Sequence, residues 1–146
     1  MVDTIRRVAE ASDLAGAALL GLGGGLRSFA SPVALAVRGR GPLSGSARFI
    51  AFGAGAGEVI ADKLPAMPSR WSVRGLTLRL GFSADGGRVL AGWPGAGIAG
   101  AAALVSAYAG SQLRGKVPSG RPQLAAAAAE DALSYALALT ATRGLS

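Results

Sequence analysis

The sequence predicts an all-α protein, a polytopic transmembrane helix bundle of four to five apolar segments. Three observations predict it. Hydrophobic residues make up 51% of the 146 positions and the mean hydropathy is +0.42. That content comes from Ala, Leu and Val, and aromatics are only 5%. A soluble core of this size would lack its usual bulky fillers. Glycine occurs 23 times, far above the usual ~7% of residues. It clusters inside apolar runs with no G-X-Y period, which suits helices that approach backbone to backbone in lipid. Finally, most charges fall between apolar runs, while Arg27, Glu58, Glu130 and Asp131 interrupt them.

Length allows one domain, not two. It divides into an N-terminal segment (1–13), a first helical unit (14–63), a connector or short span (64–88) and a second helical unit (89–146). Residues 1–13 carry Asp3, Arg6, Arg7, Glu10 and Asp13. Acids in that stretch argue against a signal peptide, and Ile5, Val8 and Ala9 on one face suggest a short helix lying at the interface. The first span covers residues 14–30, extending as far as 37, with Gly21 and Gly25 on one small face. Pro32 should kink or end it. Arg38, Arg40 and Arg48 mark the first loop.

Residues 49–61 form the second apolar stretch. Thirteen residues of helix rise only ~20 Å against a ~30 Å hydrocarbon core, so it extends past its charges or is a partial span. Gly53 and Gly57 repeat the small-face spacing. Residues 62–74 read as a proline-broken connector with an interfacial Trp71. Residues 76–87 are ambiguous: mildly apolar, with Arg79 and Asp85, they fit a loop, a re-entrant segment or a degraded span.

The clearest span is 89–113, with no charged residue. Its helix is expected to begin near Pro94, with Trp93 at the interface, and Gly92, Ala96 and Gly100 as a ridge. Arg114 and Lys116 end it, residues 118–122 turn, and the last span runs over 123–142. A faint repeat links the halves. Arg27 and Arg114 each follow a Gly-rich span and precede a proline, and each unit returns through a helix carrying an acid. Such a pattern is what a duplicated membrane fold leaves behind. Lys and Arg divide almost evenly between the two sides of a four-span arrangement, with a weak bias to a cytoplasmic N-terminus.

Three strings carry a resemblance: GLRSFASP at 25–32, GEVIADKLPAMPSR at 57–70, and QLRG with AEDALS at 112–115 and 129–134. They resemble a family of small bacterial multi-helix integral membrane proteins with no assigned activity. DKLP-x-x-PSR is the most specific of them. The resemblance implies a multi-pass protein of the bacterial inner (cytoplasmic) membrane with these polar residues at matching places. The polar middle segment, 76–87, departs from the apolar one the family would have there.

The chain has no Cys and no His. Thiol chemistry, disulfides, haem ligation, zinc sites and Ser-His-Asp catalysis are therefore excluded. No cofactor is expected and no metal site. The net charge of +7 is spread over loops, with no aromatic-basic stripe for nucleic acid. GLGGGL lacks the ending and the preceding strand of a phosphate loop.

The chemistry rests on ionisable groups inside apolar sequence, costly unless paired or wet. Candidate substrate- or ion-binding residues are Arg27, Glu58, Asp62, Lys63, Arg114, Glu130 and Asp131. Glu58 and Asp62 share a helix face. Glu130 and Asp131, being adjacent, diverge by ~100° and cannot both face one partner. The expected pairs are Arg27 with Glu58, and Arg114 with Glu130 or Asp131, around a polar cavity. The function expected is transport or permeation of a small solute, proton or ion. The alternative is a non-catalytic membrane scaffold or accessory subunit of a larger complex, and third a lipid-modifying enzyme using Glu58 and Asp62. The expected partners are the lipid bilayer and further copies in a homo-oligomer, because four short helices enclose little volume. Arg27, Asp62, Lys63 and Arg114 also have an ordinary reading, as snorkelling or capping residues at helix ends.

Overall fold

The computed structural model describes residues 1–61 and 72–144, and is helical with no strand among them. Its elements are α1 (Val2–Leu26), α2 (Ala30–Val37), α3 (Arg48–Ala61), α4 (Val73–Gly115) and α5 (Arg121–Ala141), with a short 3-10 turn at Gly45–Ala47 leading into α3.

The N-terminal segment and the first span are one helix. Nothing between Val2 and Leu26 breaks it, and Arg6 pairs with Glu10 one turn on at 3.0 Å. The helix stops at Leu26, six residues before Pro32. Proline removes the hydrogen bond to the carbonyl four residues back and clashes with it, and that residue is Ser28. The break therefore falls at 27–29, and Pro32 itself sits in the first turn of α2, where its missing N–H costs nothing.

Residues 76–87 are helical. They belong to α4, whose backbone departs from helix only at Ala91 and Gly92. Gly92 has φ +63° and ψ −154°, a region essentially confined to glycine. There the chain doubles back. The Gly87 and Gly95 backbones lie against each other, and Ala84 lies beside Gly100, so the arms 73–90 and 93–115 run antiparallel. Residues 89 and 90 thus close the first arm, and the expected span 89–113 begins only at 93. Trp93 is exposed, with the Arg88 guanidinium 6.0 Å from its ring centre. Gly92 is the turn, so the packing ridge is not Gly92–Ala96–Gly100. It is shifted to Gly95, Ala99, Ala103 and Ala107, all buried.

Helix α1 is the axis. Its Gly21 faces the Ala99 backbone and its Gly25 the Ala103 carbonyl and Ser106, on the second arm of α4. Its Leu20 packs on Gly86, and Gly24 faces Ser83, on the first arm. Its Gly23 lies against Ser134 and Ala138 of α5. Glycine on three sides of α1 lets three helices close around it. From Gly16 to Ala36 the chain is almost wholly buried, while α4 and α5 turn Leu104, Val105, Tyr108, Leu113 and Leu133 outward. Among the described residues, two helices, α4 and α5, are long and apolar enough to cross a membrane. The four to five crossings read from sequence are not all matched by such helices. The apolar half of α1 ends at the break, and α3, at 14 residues, rises only ~21 Å.

Candidate functional site

The break between α1 and α2 is the organising feature. Arg27 is extended (φ −137°, ψ 123°), with its N–H bonded to the Gly23 carbonyl. Ser28 and Phe29 open α2, and their N–H groups have no helical partner, as at any helix start. The Glu58 carboxylate of α3 takes both: Ser28 N–H donates to one oxygen at 2.8 Å and Phe29 N–H to the other at 3.0 Å. A negative group there also complements the positive end of the α2 dipole.

The Arg27 side chain is fully buried. Its guanidinium pairs with Asp131 of α5 through Nε and Nη2, both on Oδ1. A cation at the C-terminal end of α1 suits that helix's dipole as well. Next to Asp131, Glu130 faces the other way and accepts from Arg114 Nε at 2.8 Å. The ~100° divergence of adjacent helical residues is visible here: Asp131 is turned to α1 and Glu130 to the end of α4. Buried hydroxyls close the polar seam. Ser134 Oγ donates to the Gly23 carbonyl at 2.7 Å and Ser31 Oγ to the Leu20 carbonyl at 3.2 Å.

The expected pairing is therefore half rearranged. Arg114 meets Glu130, but Arg27 meets Asp131 and not Glu58, because Glu58 is held by backbone N–H groups. Asp62 and Lys63 lie outside the described residues. Both helical units nevertheless fold an acid of the returning helix onto the end of the outgoing one, Glu58 onto 28–29 and Glu130 onto Arg114.

Two participants were not singled out as site residues. Arg79, buried to 6% exposure, lies on the first arm one turn before the buried Ser83, on the same face. Tyr135, one turn after Asp131, brings its hydroxyl against Gly55 of α3. An arginine within an apolar helix was the available signal for the first, and i,i+4 spacing from an acid for the second. Phe29 and Phe82 pack at 5.1 Å beside the break.

Chemically, the seam places Arg27 and Arg114 with Glu58, Glu130 and Asp131 among apolar helices. Among the described residues, no group of three or more His, Cys, Asp or Glu could hold a metal ion. Both Glu58 oxygens are engaged by backbone N–H groups. Gly25–Pro32 form the break, and Glu58, Asp131 and Ser134 close on it. No family model, curated protein or solved structure matches the chain.

Proposed function

We propose that this chain is a multi-pass protein of the bacterial inner membrane, of the small family its motifs resemble, that carries a proton or small ion past the α1–α2 break. It is not an enzyme in this reading, and it works as a homo-oligomer. One observation carries the proposal. The buried stretch from Gly16 to Ala36 is interrupted at its polar centre, with Glu58 on the N–H groups of Ser28 and Phe29 and Arg27 on Asp131. Discontinuous helices of this kind place helix ends and charges where an ion can be bound within a membrane, and ionisable groups there are too costly to be incidental.

The groups also supply a sequence of events. A proton on Glu58 cancels the charge that complements the α2 N-terminus and weakens both N–H bonds. A proton on Asp131 releases Arg27. Each acid, once neutral, loosens one side of the break, and the freed guanidinium with the two N–H groups would accept an anion.

Purified protein in liposomes enclosing a pH-sensitive dye tests this. Under a potassium diffusion potential, wild-type vesicles should acidify faster than protein-free ones. Asp131→Asn and Glu58→Gln should lower the rate at least about a hundredfold, the size of a lost proton-transfer group, while keeping wild-type helicity. Wild-type flux equal to that of empty vesicles would reject proton carriage.

The scaffold reading is favoured by a separate observation. Gly53 and Gly57 of α3 have nothing within 4 Å, and Phe49, Ile50 and Ile60 beside them are exposed. A small-residue face with apolar flanks suits contact with another membrane helix.

A further inference from the structure

Helices α4 and α5 are joined by a short turn, yet they splay apart along a groove of about 540 Å³. That is within the range of sites that enclose small ligands. Its walls are apolar: Leu22 and Leu26 of α1 form the floor, Val105 and Leu113 one side, Leu133 and Leu137 the other. Val117 of the turn lines one end, and the Arg114–Glu130 pair lies along it. The charge around that end is one-sided. Lys116 and Arg121 are exposed on the turn, and from residue 86 to residue 129 the sequence contains no acid. Glu130 is engaged by Arg114, so the turn keeps a basic excess.

We propose that this groove holds one anionic phospholipid. An acyl chain lies between α4 and α5 on the leucine floor, and the phosphate rests among Arg114, Lys116 and Arg121. A groove open to lipid is filled by hydrocarbon in any bilayer, and basic residues at its end select the head group. The site is independent of ion carriage at the helix break.

Native mass spectrometry of the detergent-purified full chain tests it, with phosphatidylglycerol and phosphatidylcholine added in turn. Wild type should retain a single phosphatidylglycerol with a roughly thirtyfold preference over phosphatidylcholine, the sum of two basic side chains near an anionic head group. Lys116→Gln with Arg121→Gln should remove that preference while leaving the helicity unchanged. Ala129 lines the groove and is exposed, so Ala129→Phe fills it without entering the core and should abolish retention of both lipids. Equal retention of the two lipids by wild type would overturn the proposal, as would retention unaffected by Ala129→Phe. A change of oligomeric state in Ala129→Phe would overturn it too, by making the groove a seat for a second copy.

Discussion

At the residue scale, the interior is decided by how each charge is neutralised. Arg27 and Asp131 are both buried, so removing either leaves the other uncompensated, at a cost of about 3–5 kcal/mol. Arg27→Gln and Asp131→Asn should each destabilise by that order. The double variant should recover part of the loss, since no lone charge then remains in the interior. A denaturant titration of the three variants in detergent checks it, and strictly additive losses would mean that the pair is not coupled. That these residues must be compensated was legible from sequence, because they stand within apolar runs. Their partners were not. Arg27 and Asp131 are 104 positions apart, and Glu58, expected to meet a guanidinium, meets a helix start. Once the break at 27–29 exposes two N–H groups, the helix start wins.

At the element scale, glycine position separates packed faces from open ones. A methyl at Gly21 or Gly25 would run into the Ala99 or Ala103 carbonyl, and backbone cannot move aside as a side chain can. Gly21→Ala and Gly25→Ala should cost about 1–3 kcal/mol each by overpacking. Gly53→Ala and Gly57→Ala meet nothing within 4 Å and should gain up to about 1 kcal/mol of helix propensity. Thermal unfolding of the four variants reads the contrast, and a loss at Gly53 as large as at Gly21 would show that another chain covers α3. The ridge on α1 was visible in the spacing of Gly21 and Gly25. On α4 the same spacing misled, because Gly92 serves backbone conformation and not packing. The helix over 76–87 was obscured by Arg79, whose burial follows from tertiary packing alone.

At the scale of the whole molecule, the long apolar helices lie on the outside. The helices long and apolar enough to cross a membrane, α4 and α5, are only 22% buried over their most apolar windows. The glycine-rich α1 and the short α2 form the centre. Exposed leucine, valine and isoleucine on the outer helices suit a lipid surround, with the charge seam as a polar layer inside. Composition made the all-α class legible. The number of crossings was not, since a broken central helix and a doubled-back α4 have the same apolar content as separate spans. The central claim is that the seam lies within the membrane, shielded from water. The most direct measurement is the rate at which a water-soluble carbodiimide modifies individual carboxylates in proteoliposomes, read by peptide mass spectrometry. Asp3 and Glu10, exposed on α1, are internal references. The account predicts that Glu58, Glu130 and Asp131 react at least about tenfold more slowly than these two. Equal rates at all five positions would place the seam in water and contradict it.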